Sequence, residues 1–423
     1  MRERLIIPVR WVDIGVTVST GTLSKLELEN EQVLFIFNMH TGSSPYTHEF
    51  VTNVQDPQLL SSFVSAMSTF MGEVTGEIQK QWKTVYGSDT TLLVETVEWC
   101  IAVLAVKRET AEARSKLRRV ASEFVDIFEP MKNALYFEGG VFNEFDDFVR
   151  DVFLGNRISG RTLLLTESKN IDSKPTFLLP SISYKIQKIA ELAKKNLSLE
   201  EMVSYIDSTK KELKELVSLA VWNRALCPIF VPEDRDILSL SLNAASELFE
   251  RGNPLNLSVT TIRLLALLDG KKTLSELTKK LDILENSITF KELGRLINLG
   301  YVEKIPQERR LLLVNECIIS RLIRSCIRSI GEKKTSSLFE SAIREGIPNH
   351  PWTSRIQMTA DGAAKVILEK DMTPVDLDEM FIALEFAIER IIQGLSDEIG
   401  HISASLVLPR IKERCQKEWS RRL

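Results

Sequence analysis

A chain of 423 residues is long enough for two to four domains, and 44% hydrophobic with 26% charged residues is the make-up of ordinary globular protein, not of a disordered or fibrous one. A net charge of −4 excludes a strong global attraction to nucleic acid or to an anionic membrane. Five scattered cysteines, Cys100, Cys227, Cys317, Cys326 and Cys415, form no CxxC pair, which argues against a zinc site or a disulfide framework and for free thiols in a reducing cytosol.

The N-terminal run "MRERLIIPVRWVDIGV" is interrupted by Pro8, Arg10 and Asp13. It is too short for a signal-peptide core or a membrane span, so a cytoplasmic protein with no integral membrane association is expected. Val12, Ile14, Val16 and Val18 alternate as in a strand, which finds no place in the order below. Residues 33–38, VLFIFN, read as a strand. A Gly/Ser/Pro turn follows, then YTHEFVT as its return, so "NMHTGSSPYTHEF" is a hairpin and not a phosphate loop. Asp56-Pro57 starts a helix in which Leu60, Phe63, Val64, Met67, Met71 and Val74 recur at helical spacing. Three strand-like runs, QWKTVY, TTLLVETV and WCIAVLAV, come next. A second amphipathic helix buries Leu117, Val120, Ala121, Phe124, Val125 and Phe128. "YFEGGVFNEFDDFVRDVF" reads as a closing helix.

This β-β-α-β-β-β-α order over residues 31 to 155 resembles the longin and roadblock (profilin-like) families. The likeness rests on "FNMHTGSSPYTHEF" as the first hairpin and "LLSSFVSAMSTFMGEV" as the helix after it. Such domains serve as interaction surfaces for small Ras-like GTPases and membrane-traffic assemblies. The resemblance therefore implies a GTPase or other protein partner, or self-dimerisation. Leu59, Ala66 and Thr69, off the core face of the helix 57–74, are the candidate contacts.

Residues 158–175 read as a linker with one short strand. Beyond it the pattern turns helical: "SISYKIQKIAELAKKN", then "SLEEMVSYID" with a Ser198–Glu201 capping box, then "TKKELKELVSLAVWNR" with a Thr209–Glu212 box, then a strand "ALCPIFVP". About 75 residues on, the theme recurs in "SVTTIRLLALLDG", "TLSELTKKL" with a Thr273–Glu276 box, and "ENSITFKELGRLINLG", closed by "YVEKIPQERRLLLV" as strand, turn and strand. The second copy resembles a winged helix; the first resembles it less, its wing being cut short by Pro228 and Pro232. The divisions expected are a longin/roadblock-like domain over 1–157, winged helices over 176–236 and 255–315 with a connecting helix at 237–254, and a helical C-terminal domain over 316–423. In that last domain "RIQMTADGAAKVIL" is a hairpin or a helix from Ala363, and "PRIKERCQKEWSRRL" a basic amphipathic helix. The fold class is α+β and multidomain, mainly α overall.

No Walker loop, HExxH or GxSxG string is present. The histidines His40 and His48 of the hairpin alone make a poor metal site. No catalytic, cofactor-binding or metal-binding residue is assigned, and the chain is expected not to be an enzyme. A DNA-binding reading would use Lys210, Lys211 and Lys214 in the first copy, and Lys291, Arg295, Arg309 and Arg310 in the second. Glu212, Glu215, Glu285, Glu292 and Glu308 are interspersed and weaken that field. Residues 31–157 carry 18 acidic and 11 basic residues, which leaves the rest mildly basic. The expected function is a non-enzymatic regulator or scaffold binding a small GTPase or membrane-traffic protein, with winged helices for protein interaction. A DNA-binding transcriptional regulator with an N-terminal sensor or dimerisation domain is second choice.

Overall fold

A computed structural model describes residues 29–51, 64, 81–86, 90–133, 139–165, 180–249, 252–282, 287–359, 362–367, 374–401 and 405–420. Leu59, Ala66 and Thr69, and the strand pattern at 12–18, lie outside them. The described chain is mixed α+β, an N-terminal antiparallel sheet followed by mostly helical structure.

Five strands, β1 (Glu31–Asn38), β2 (Tyr46–Glu49), β3 (Gln81–Tyr86), β4 (Thr90–Val97) and β5 (Cys100–Val106), pair in the order β2-β1-β5-β4-β3. β-Branched and aromatic residues fill both faces of β1, which suits a strand buried on each side. Leu34 and Ile36 pack towards helix α1 (Ala111–Phe128). Val33, Phe35 and Phe37 face the opposite cluster with Trp82, Val94 and the helical Val64. All six residues expected on the inner face of α1 are buried there. Thr110 caps its first turn by accepting from the Ala113 amide at 3.0 Å. The closing segment is helical through its described part, a 3-10 turn at Gly139–Phe142 leading into helix α2 (Asn143–Arg150) and a π turn at Asp151–Gly155; the first residues of the expected helix, 136–138, lie outside the described ones.

Next come β6 (Leu163–Leu165), α3 (Pro180–Ala193), α4 (Leu199–Met202), α5 (Lys210–Trp222) and β7 (Cys227–Ile229). The following stretch holds β8 (Leu238–Leu240), α6 (Ala244–Phe249), α7 (Val259–Leu265), α8 (Leu274–Lys280), α9 (Ser287–Asn298) and β9 (Val302–Lys304). These two stretches repeat one hydrogen-bond plan. β6 pairs with β7, and β8 with β9, both antiparallel. Leu163 bridges Ser198, and Ile237 bridges Thr273. The Leu199 and Glu200 amides donate to Thr162 O and Gly160 O at 3.1 and 2.8 Å; those of Leu274 and Ser275 donate to Asp236 O and Asp234 O, both at 2.8 Å. Ser198 and Thr273, at equivalent places, both head complete capping boxes.

In each repeat the strand beside the last one comes from before the helices, not from a hairpin after them. This corrects the expected wing at 301–314. β9 ends at Lys304, and Pro306, which cannot donate to a ladder, caps the start of α10 (Gln307–Ile330) instead. Leu312, Ile319, Leu322, Ile323 and Cys326 recur at helical spacing and are all buried, so burial favours helix over a second wing strand. Arg309 and Arg310 therefore stand in the first turn of a long helix. For the same reason β6 and β8, placed in the linker 158–175 and the connecting segment 237–254, belong to the repeats.

The C-terminal part packs α10 with α11 (Glu332–Gly346), α12 (Pro374–Ile399) and α13 (Val407–Ser420) around one core. Between them lies a hairpin of β10 (Ile356–Met358) and β11 (Ala364–Val366). The Sγ atoms of Cys317 on α10 and Cys415 on α13 lie 3.1 Å apart as free thiols.

Gly300, just after α9, has φ +74°. A Cβ there would meet the Asn30 side chain at 2.6 Å. Asn30 in turn accepts from the Arg108 amide at 2.8 Å and donates to Arg108 O at 2.9 Å. Gly300→Ala is expected to lower stability by about 1–3 kcal/mol through a left-handed backbone combined with a clash, read as a shift of the urea midpoint at constant m-value.

Candidate functional site

The sheet and the two repeats meet around a buried charge network. Arg157, just past the π turn, grips Glu31 of β1 with both terminal nitrogens at 2.9 and 2.7 Å and donates through Nε to Glu112 of α1 at 2.9 Å. Lys116, one turn after Glu112, pairs with it at 2.6 Å and donates to Phe153 O at 3.0 Å. Burial by itself would raise the Glu31 and Glu112 pKa values; the Arg157 charge overrides it and holds both carboxyls below the usual range. Burial, with Arg157 adding repulsion, brings Lys116 down to about 8.

β9 extends the network. Glu303 accepts from the Glu112 amide at 3.1 Å, and burial pushes its carboxyl up to about 7. Lys304 pairs with Asp236 at 2.8 Å and donates to Asn156 O at 2.9 Å. A set of charges drawn from β1, α1, the turn after α2 and β9 thus fixes the sheet to the second repeat. Buried pairs of this kind specify geometry more reliably than they add stability.

Beside Arg157 lies a cavity of about 40 Å³, whose lining includes Glu31, His48, Phe50, Arg157, Trp222 and Asn298. That volume holds a few waters and is well below the ~300 Å³ of a typical small-molecule pocket. His48 of β2 stacks on Trp222 of α5 with centroids 3.4 Å apart and planes 9° from parallel. The Trp222 indole N–H and the Tyr46 hydroxyl both donate to Asp146, at 2.7 and 2.8 Å. Asn298, at the end of α9, donates to Pro228 O at 2.7 Å and accepts from the Phe230 amide at 3.0 Å. The first hairpin is therefore a docking strand for the first repeat. Its other histidine, His40, is exposed in the turn.

Burial, reinforced by the nearby Arg224 charge, lowers His48 to about 3, and its Nε2 is enclosed without a hydrogen-bond partner. The unfolded chain takes up a proton near pH 6.5 while the folded chain does not, so this contribution is lost as pH falls below 6.5. Glu95 and Glu303, both raised to about 7 by burial, act oppositely, the folded state binding protons first between pH 7 and 4.5. His48→Phe isolates the histidine. The stability of wild type relative to the variant is expected to fall by roughly 1 kcal/mol per pH unit between 6.5 and 5, followed by urea unfolding at each pH.

The cationic residues singled out in the sequence do not form one surface with open helix faces. Lys210 is exposed and paired with Glu200 at 2.5 Å; Lys211 is exposed and Lys214 half-buried. On α9, Lys291 is exposed and Arg295 half-buried. The helix itself turns inward. Gly294 lies against Ile229 and Val231 of the first repeat, Phe290 lies under the Arg161 guanidinium at 5.0 Å, and Lys291 acts on the charge of Glu201. Arg309 and Arg310 are half-buried, and Arg310 donates from Nε to Ile305 O at 3.2 Å. One face of α9 is thus a contact between the repeats, while Ile288 and Lys291 are exposed on it. Sequence reading missed the charge network, because its members lie far apart in the chain and each has an ordinary local setting.

Among the described residues no group of three or more His, Cys, Asp and Glu side chains converges as a metal site, and no helix is long and apolar enough to cross a membrane. Comparison with protein-family models and with curated protein sequences gives no match to the chain.

Proposed function

We propose that this chain is a non-enzymatic scaffold whose N-terminal sheet receives a protein partner, with a small Ras-like GTPase as the leading candidate. The observation that carries the reading is the unequal packing of the two outer strands of the described sheet. The β2 side chain His48 is packed under Trp222 of α5, whereas β3, the other outer strand, presents Val85 at 69% exposure. An outer strand with an exposed β-branched residue suits strand addition by a partner or by a second copy of the chain. Lys83, two residues before Val85 on β3, is drawn aside to Glu109 at 2.6 Å. The repeats lend support, since one face of α9 packs on the first repeat and the strands β7 and β9 are paired within their own repeats. DNA binding is less well supported for that reason.

Val85→Glu is expected to abolish capture of the partner while moving stability by no more than about 0.5 kcal/mol. The measurement is a pull-down by the full chain of small GTPases loaded with GDP or GTP, with light scattering for self-association. Failure to retain either nucleotide form, with a monomer at all concentrations, would sink the proposal.

A further inference from the structure

A second concave surface lies remote in sequence from the sheet. It runs between α10 and α13, has a volume of about 670 Å³, and its lining includes Arg321, Arg324, Arg328, Arg410, Arg414 and Leu406, with no aspartate or glutamate among the described residues. Arg321, Arg324 and Arg328 follow one face of α10, and Arg410 and Arg414 stand one turn apart on α13. Like charges at this spacing repel along each helix, and the two rows face one groove, so the arrangement costs stability unless an anion fills it. The nearby carboxylates relieve part of this. Glu418 pairs with Arg321, and Glu413 is engaged by Lys417 at 2.6 Å. Arg324, Arg328, Arg410 and Arg414 are exposed. Beneath the groove the helices are anchored by Leu322, Cys326, Ile411 and Cys415, all buried, which holds the guanidinium rows in place.

We propose that this groove binds a compact ligand carrying several phosphate groups. Guanidinium forks match phosphate oxygens two at a time, and several forks around one concavity, that of Arg321 shared with Glu418, call for more than a single phosphate. The row on α10 is only ~10 Å long, from seven residues at 1.5 Å each, and the volume is that of a small-molecule site. Both dimensions favour a phosphorylated ring or headgroup over a nucleic-acid duplex, which needs a longer basic track. Leu406, 53% exposed at the rim, gives the site an apolar margin that a lipid-borne headgroup would use and a free one would not. The inference is independent of the GTPase reading and concerns the opposite end of the chain.

The test uses the whole 423-residue chain and two probes: inositol hexakisphosphate by titration calorimetry, and phosphatidylcholine vesicles containing phosphatidylinositol bisphosphate by flotation. Binding to either is expected to weaken at least about tenfold in Arg410→Glu/Arg414→Glu and to fall with added salt. Lys412→Glu, on the same helix but outside the lining, is the charge control and should leave affinity within about twofold. Vesicle binding that soluble inositol hexakisphosphate displaces identifies a lipid headgroup as the source; binding of the soluble probe alone identifies a free polyphosphate. The proposal is overturned by absence of binding to both probes, or by equal binding in the arginine variant with its circular dichroism unchanged. Tighter, arginine-dependent binding of a DNA or RNA duplex, or equal flotation with phosphatidylserine vesicles, overturns it as well.

Discussion

Arg157→Met is expected to destabilise the protein by about 3–5 kcal/mol, a large share of the ~5–15 kcal/mol that holds a typical domain. Methionine fills much of the space but leaves Glu31 and Glu112 buried without their cation, at 7% side-chain exposure for the arginine they lose and 8% and 9% for themselves. Lys116 remains beside Glu112 but makes no bond to Glu31 in the native arrangement, so Glu31 bears most of the loss. The pH dependence follows from the sign of the shifts. Both carboxyls are held below their ordinary pKa in the folded chain, so their contribution is present above about pH 4.5 and lost as pH falls through the folded values. The deficit of Arg157→Met should therefore be full at neutral pH and shrink in acid, where protonated carboxyls no longer need the arginine. Urea unfolding at pH 7 and pH 4 checks both size and direction. A variant whose deficit grows on acidification would show that the network is not what the substitution removes.

Trp222→Ala is expected to cost a comparable 3–5 kcal/mol and to act locally. The indole is 5% exposed, stacks on His48, meets Phe50 edge-on at 5.8 Å and donates to Asp146. Its loss opens a cavity beside β2 and lets water reach His48, so the histidine regains a more ordinary pKa and the acid sensitivity assigned to it diminishes. Asp146 keeps its bond from Tyr46. Hydrogen exchange should accelerate first along β2, paired with β1 on one side only, and least along the central β5. Uniform acceleration across the sheet would mean that Trp222 supports the whole fold and not the docking of one strand.

The two substitutions separate the two ways in which the sheet is joined to the repeats. One joint is electrostatic and lies under α1; the other is aromatic and lies against the side chains of β2 and the residue after it. The sequence shows only the aromatic joint in part, as a hairpin that carries His48. Stacking on Trp222 accounts for His48.

The sequence alone determined the local elements wherever one face or one cap is decisive. The inner face of α1 follows from six apolar residues at helical spacing, all found buried. The starts of α4, α5 and α8 follow from capping boxes at Ser198, Thr209 and Thr273, each formed in the structure. A cap or an amphipathic face is written within a few neighbouring residues, so its physics is local. Only the tertiary structure decided which strand pairs with which, and which charges meet. The pairing of β8 with β9 spans the whole second repeat, and Arg157 reaches Glu31 across 126 residues. The stretch after Pro306 shows the limit most directly. Its apolar residues suit a strand by propensity and a helix by spacing. Burial against α12 and α13 settles it as helix, a contact that no short stretch of sequence contains.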